Sequence, residues 1–102
     1  MNEYVLTSIA QRDIRSIWLF IADDSEKHAD LVRRAILATC QFAADFPQAG
    51  HPRPEFSKRI TRVLAVTRYE KYSIIFQPET KPLRIVRILN GYRDFSRIRL
   101  AE

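Results

Sequence analysis

The sequence predicts an α+β fold in which a helical hairpin packs on a small antiparallel sheet, with the element order β-α-α-β-β-β. Three observations predict this fold. Two consecutive stretches place apolar residues three and four positions apart, which is the spacing of one helix face. A proline-rich connection follows, and then three segments of strand composition. A chain of 102 residues can bury one modest core, so residues 1–102 are expected to form a single domain.

The chain opens with a short aromatic and β-branched segment, residues 4–7, which is typical of a strand. Ser8 follows and is interpreted as the cap of the first helix. Trp18 lies on the apolar face of that helix and is expected to be a core residue. Leu19 and Phe20 lie off this face, so they require a wider buried face or contact with a partner. The face consists of Ala10, Ile14, Ile17, Trp18 and Ile21.

A second helix follows after a tight turn. Ser25 before Glu26 predicts its N-cap, with an acid near the positive end of the helix dipole. Pro47 disfavours helical geometry in the residue before it, so the helix should end at Phe46. Two antiparallel helices result. The apolar face of the second helix consists of Ala29, Val32, Ile36, Cys40 and Ala43.

Three prolines and Gly50 lie between Pro47 and Pro54 and predict a stiff, ordered connection. The expected strands come after it, and side chains alternate between the two faces of a strand. In the last strand this alternation predicts that Ile85 and Leu89 face one way, and that Val86 and Ile88 face the other. Both faces of the sheet are therefore apolar, and the face away from the helices must be covered by the C-terminal tail or by a partner. The three strands are expected at about 60–66, 72–77 and 83–89.

Charge is distributed unevenly along the chain. Residues 1–50 carry five basic and seven acidic side chains, a net charge of −2, whereas residues 51–102 carry twelve and five, a net charge of +7. Coulomb attraction makes nucleic acid or a protein with an acidic segment the expected partner of the second half.

Several classes of function lack their sequence signals. The spacing of His28, His51 and Cys40 fits no metal site, and no nucleophile or glycine-rich phosphate motif occurs, so no metal and no cofactor is expected. The N-terminus lacks the pattern of a signal peptide, and no apolar run is long enough to cross a bilayer. A lone cysteine makes no internal disulfide, so a cytoplasmic protein is expected.

A set of arginine side chains lies along the second half, with tyrosines interleaved. They suit contact with nucleic acid, because guanidinium groups bind phosphate and aromatic rings stack on bases. The alternative is a solvated basic face with the tyrosines in the core. The set consists of Arg59, Arg62, Arg68, Arg84, Arg87 and Arg93 with Tyr69, Tyr72 and Tyr92.

Five segments, taken in order, closely resemble the RelE/ParE superfamily of toxins, and most of all its ParE-like branch. Two of them carry recognisable patterns: FPQAGHPRP at 46–54 and RILNGYRD at 87–94. The others are YVLT at 4–7, IRSIWLFIA at 14–22 and YSIIF at 72–76. The resemblance implies a strand, a helical hairpin and a three-strand meander. It also implies the toxin of a type II toxin-antitoxin module, held in a hetero-oligomer by a ParD-like antitoxin with an acidic or disordered C-terminal segment.

The superfamily contains two activities. RelE-like toxins cut messenger RNA in the ribosome, whereas ParE-like toxins poison DNA gyrase. RNA cleavage needs a proton acceptor, a proton donor and cations around the phosphate. In the endonuclease alternative these are Arg62, Arg84 and Arg87 around the phosphate, with Tyr92 in proton transfer.

The tail after Asp94 lacks the tyrosine or histidine found in many RelE-like toxins. The resemblance therefore favours a gyrase-binding toxin without catalytic residues, which causes growth arrest and serves plasmid stabilization. Under this hypothesis the contacts with antitoxin or target are made by Arg62, Arg84, Arg87, Arg93, Leu19 and Phe20. Two alternatives stay open: Arg93 and Asp94 form a structural pair, or the chain is a basic binding module that is no longer toxic.

Overall fold

A computed structural model describes residues 2–54 and 59–91 of the chain. The helices are α1 (Ser8–Ala22) and α2 (Glu26–Asp45). The strands are β1 (Tyr4–Leu6), β2 (His51–Pro52), β3 (Arg62–Ala65), β4 (Tyr72–Gln77) and β5 (Leu83–Asn90). Neither of these helices is long and apolar enough to span a membrane within the part of the chain that the structure describes.

The strands form one five-stranded mixed sheet in the order β1-β5-β4-β3-β2, and the two helices pack on one face of it. The α+β fold is confirmed, with two additions. β1 pairs in parallel with β5, because the helical hairpin carries the chain back before the meander begins. The connection contributes the two-residue strand β2, which pairs antiparallel with β3 and was not predicted.

The helix ends follow local capping chemistry. Thr7, rather than the predicted Ser8, caps α1: its backbone is extended, and its hydroxyl accepts a hydrogen bond from the Ala10 N–H (3.0 Å). The predicted cap of α2 is confirmed, because the Ser25 hydroxyl accepts from the His28 N–H (3.1 Å). This helix ends at Asp45, with Phe46 as its C-cap.

The main core lies between the hairpin and the sheet. Tyr72 is buried within it, so this tyrosine is a core residue. The prediction that Trp18 is a core residue is wrong, since its side chain is only half-buried. Its indole N–H donates to Asp30 Oδ1 (2.8 Å), which joins α1 to α2. The fully buried side chains include Ile36, Ile74, Phe76 and Ile85.

A β-bulge in β5 changes which side chains face the helices. Ile75 pairs with Arg87 and Phe76 pairs with Ile85, so the residue between these two on β5 has no partner. The extra residue shifts the alternation by one position. Ile85 and Ile88 therefore belong to the helix-side core, and the predicted assignment of faces is wrong.

A second, smaller cluster lies on the face of the sheet away from the helices, where Val86 and Leu89 join Val63 and Ile75. The C-terminal tail, one of the two predicted covers of this face, lies outside the described residues.

Gly50 occupies a position that only glycine tolerates. Its φ is +78°, in the left-handed region, and a Cβ atom there would overlap the carbonyl oxygen of Val63 on β3. The close approach of this backbone to β3 is what allows β2 to pair with the edge of the sheet.

We expect Gly50→Ala to lower the free energy of unfolding by about 2–4 kcal/mol, because it combines a left-handed φ with a clash against backbone. Urea denaturation followed by circular dichroism measures the change. The control is Gln48→Ala at an exposed position of the same connection, which should stay within about 0.5 kcal/mol of wild type. Equal stability of the two variants would contradict the close approach.

Candidate functional site

Arg62, a predicted phosphate or partner contact, forms hydrogen bonds with the backbone of the connection between α2 and β2. Its Nε donates to the carbonyl of Ala49 (2.9 Å), and its Nη2 donates to the carbonyls of Gln48 and Gly50 (both 2.8 Å). A guanidinium group has several donors in a fixed fork, so one side chain can bind three successive carbonyls. These bonds fix the chain between α2 and β2, and they leave Arg62 a structural role.

Arg87 is also engaged within the fold. Its Nε donates to Asp13 Oδ2 (2.8 Å) and its Nη2 donates to Asp13 Oδ1 (3.1 Å), which is a two-pronged ion pair between β5 and α1. Oδ2 also accepts the backbone N–H of Ile88 (2.9 Å). Asp13 thus binds a charged side chain and a strand backbone group together.

The same edge of β5 is closed by Thr7. Its backbone N–H donates to the Ile85 carbonyl, and its hydroxyl donates to the Val86 carbonyl (both 3.0 Å). β1 pairs with β5 only as far as Ile85, so Thr7 and Asp13 continue the hydrogen bonding where β1 ends. Sequence reasoning missed Asp13. In the sequence Asp13 is only an acidic residue on the polar face of the first helix, where side chains are ordinarily solvated.

The remaining predicted residues fall into three groups. Arg84 is exposed and lies on β5 opposite Gln77. Leu19 and Phe20 are exposed too, with 55% and 75% of their surface accessible. Tyr92, Arg93 and Asp94 lie outside the described residues.

Of the predicted cleavage set, Arg62, Arg84 and Arg87 lie on the described sheet, and Tyr92 lies outside the described residues. Arg62 is on β3 and Arg87 is on β5, with β4 between them, and each is held by its own acceptors. Arg84 lies at the beginning of β5 and is exposed.

Other reactive groups also have structural environments. Burial raises the pKa of the Cys40 thiol to about 12, so the thiol stays protonated and unreactive at neutral pH. His28 is exposed and meets Tyr69 edge to face, with ring centroids 5.8 Å apart. Within residues 2–54 and 59–91, no three histidine, cysteine, aspartate or glutamate side chains are grouped so that they could hold a metal ion.

The exposed side chains of Leu19 and Phe20 near the end of α1 form a surface that we call the α1 tip. Two clefts flank Phe20 there. One, of about 280 Å³, lies between α1 and the end of β5 and is bounded by Asp13 and Arg87. The other, of about 270 Å³, lies between the hairpin turn and the β3–β4 turn and includes His28 and Tyr69. A third, larger groove of about 430 Å³ runs between α2 and β3.

Comparison with known families decides what this fold is. A model described as ParE toxin of type II toxin-antitoxin system, parDE, matches residues 4–95. The chain belongs to the ParE toxin family. Among curated proteins, no match to the sequence was found.

A solved structure carries the same ParE fold. It is described as the chromosomal ParDE TA system from P. aeruginosa, and it superimposes with a TM-score of 0.71 at 21% identity. The superposition covers 89% of this chain and 97% of that chain. Nearly all of the present ParE domain therefore has a counterpart in that structure.

Arg84 and Arg87 lie on the same strand of this ParE domain, and substituting each of them tests which one has a structural role. We expect Arg87→Gln to lower the free energy of unfolding by about 1–3 kcal/mol, because it leaves the half-buried Asp13 without its charged partner. Arg84→Gln, at an exposed position, should change the free energy of unfolding by less than about 0.5 kcal/mol. Thermal and urea unfolding of both variants measure the difference. A loss that is equal in the two variants would show that the Asp13 pair contributes nothing.

Proposed function

We propose that this chain is a cytoplasmic toxin of a type II toxin-antitoxin module that inhibits DNA gyrase and arrests growth. We propose further that a ParD-like antitoxin with an acidic segment binds it in a hetero-oligomer and neutralises it. Membership of the ParE toxin family supports the proposal, since the family description names the type II system.

The engagement of the arginines is the observation that carries the proposal. Arg62 and Arg87 use Nε and Nη2 to hold the connection and α1 in place, whereas cleavage of RNA needs cations arranged around one phosphate. Inhibition by binding needs no such arrangement. What it needs is an accessible surface, and the α1 tip offers two exposed apolar side chains beside open clefts.

The α1 tip is the surface we propose for the target. Phe20 is the most exposed of the large hydrophobic side chains in the described residues, at 75%. An exposed aromatic side chain with a cleft on either side has the form of an interface anchor, because aromatic residues dominate binding energy when a partner buries them. Leu19, next to it, enlarges the same apolar patch.

Gyrase inhibition is tested with purified gyrase, DNA and the chain. We expect loss of supercoiling activity and accumulation of cleaved DNA, while messenger RNA in a translating extract incubated with the same protein stays intact. Cut messenger with unaffected gyrase would overturn the proposal in favour of the endonuclease alternative. Absence of both effects from a folded protein would support the reading as a binding module that is no longer toxic.

The α1 tip is tested with two substitutions in the same helix. Phe20→Ala should raise the concentration needed to inhibit gyrase about tenfold or more, as expected for removal of an interface anchor. The control is Ile9→Ala, also an exposed apolar residue of α1 (43%), which should inhibit like wild type. Equal inhibition by Phe20→Ala and wild type would place the target elsewhere.

A further inference from the structure

The cleft between the hairpin turn and the β3–β4 turn, which we call the turn cleft, is rich in aromatic side chains. Its volume is about 270 Å³. Sites that enclose a drug-sized ligand have volumes of roughly 300–1,000 Å³, so the turn cleft has room for one ring system of a larger ligand. Four of its nine lining side chains are aromatic, namely Phe20, His28, Tyr69 and Tyr72.

Two of these rings are accessible to solvent. The Phe20 side chain is 75% exposed, and the His28 side chain, which meets the Tyr69 ring edge to face, is exposed as well. Backbone hydrogen bonds hold Tyr69 in place, because its N–H donates to the Val66 carbonyl (3.1 Å) and its carbonyl accepts from the Tyr72 N–H (2.9 Å). Rings held in this way are suited to stack on a flat ligand, since little freedom is lost on binding.

The β3–β4 turn that carries Tyr69 is strained. The residue before it, Arg68, has a φ of +74°, in the left-handed region that residues other than glycine rarely adopt. Such strain persists where the surrounding structure imposes it, and it concentrates at functional sites. The strain is consistent with a turn whose conformation serves to position Tyr69 and Lys71.

The turn cleft also holds one anionic and one cationic group that the described fold leaves available. The Asp24 carboxylate is exposed, and it forms no hydrogen bond or ion pair with a residue that the structure describes. Lys71 Nζ lies 5.1 Å from the centroid of the Tyr72 ring, and it has no carboxylate partner in the described part of the chain. A ligand that presents a hydrogen-bond donor on its ring and negative charge outside it matches both groups.

We propose that the turn cleft binds one base of a single-stranded nucleic acid, and that this base carries an amino group. The base stacks on the exposed rings, its amino group donates to Asp24, and a neighbouring phosphate pairs with Lys71. The net charge of +7 on residues 51–102 favours a polyanion. An aromatic side chain of a protein partner fits the same rings but leaves Asp24 and Lys71 without partners. The site goes beyond the proposed function, because it needs neither gyrase nor an antitoxin.

Base preference is the first test. Labelled single strands of about eight nucleotides, one of cytidine only and one of thymidine only, are titrated with the purified chain and followed by fluorescence anisotropy. We expect the cytidine strand to bind about fivefold or more tightly, because thymine has no amino group and its N3–H lies between two carbonyl oxygens that repel a carboxylate.

Two results would overturn the site. Equal affinity for the two strands would reduce binding to attraction between a basic chain and phosphate. No binding of either strand at low salt by the folded chain would assign the rings of the turn cleft to protein contact.

The second test removes the acceptor. Asp24→Ala should reduce the preference for the cytidine strand to less than about twofold, since no carboxylate then accepts from the amino group. The control is Asp23→Ala, which makes the same change in charge at the neighbouring exposed acid, outside the lining of the turn cleft, and should keep the preference. A preference that survives in Asp24→Ala overturns the role of Asp24.

The third test removes the cation. Lys71→Gln should weaken binding of both strands and lower the slope of log affinity against log salt by about 0.7, the value for one phosphate contact on a single strand. Lys27→Gln, at an exposed position of α2 outside the turn cleft, should leave the slope unchanged. Equal slopes in the two variants overturn the phosphate contact.

The outcomes separate this inference from the proposed function. The binding assays contain no gyrase, so a base preference that Asp24→Ala removes supports the turn cleft even if gyrase is unaffected. A chain that poisons gyrase and shows no base preference keeps the proposed function and overturns the turn cleft. Phe20 borders both surfaces, and the variants used here leave it unchanged.

Discussion

The closure of the β5 edge by the start of α1 is the constraint on which this structure depends. β1 has three residues and β5 has eight, so a single short strand cannot pair with the whole edge. Unpaired backbone groups at such an edge are costly when buried. Thr7 and Asp13 supply the missing partners from the first turns of α1. The helix is thereby fixed against the end of β5, and this placement sets where the α1 tip lies.

The same chemistry explains why a strongly basic chain shows few available arginines on its sheet. Arg87 is bound by the carboxylate that closes the edge, and Arg62 is bound by three carbonyls of the connection that Gly50 brings close to β3. Both arginines hold together parts of the fold that are far apart in sequence. Of the three arginines in β3 and β5, Arg84 alone is exposed.

Local sequence patterns predicted the helices and strands whose positions depend on local interactions. Helical spacing, the Ser25 cap and the proline after α2 gave both helices, and strand composition placed β4 at its observed bounds, 72–77. The bulge in β5 escaped prediction because it is a property of pairing between strands. Asp13 escaped because its partners lie more than seventy residues away. For Leu19 and Phe20 the sequence left open a wider buried face or contact with a partner, and in the structure both side chains are exposed.

The groove between α2 and β3, here called the α2 groove, and a cleft beside Phe20 adjoin through the β3–β4 turn. Arg68 lines the α2 groove, and Tyr69 lines a cleft beside Phe20. The α2 groove and the clefts at the α1 tip therefore meet at consecutive residues of one turn.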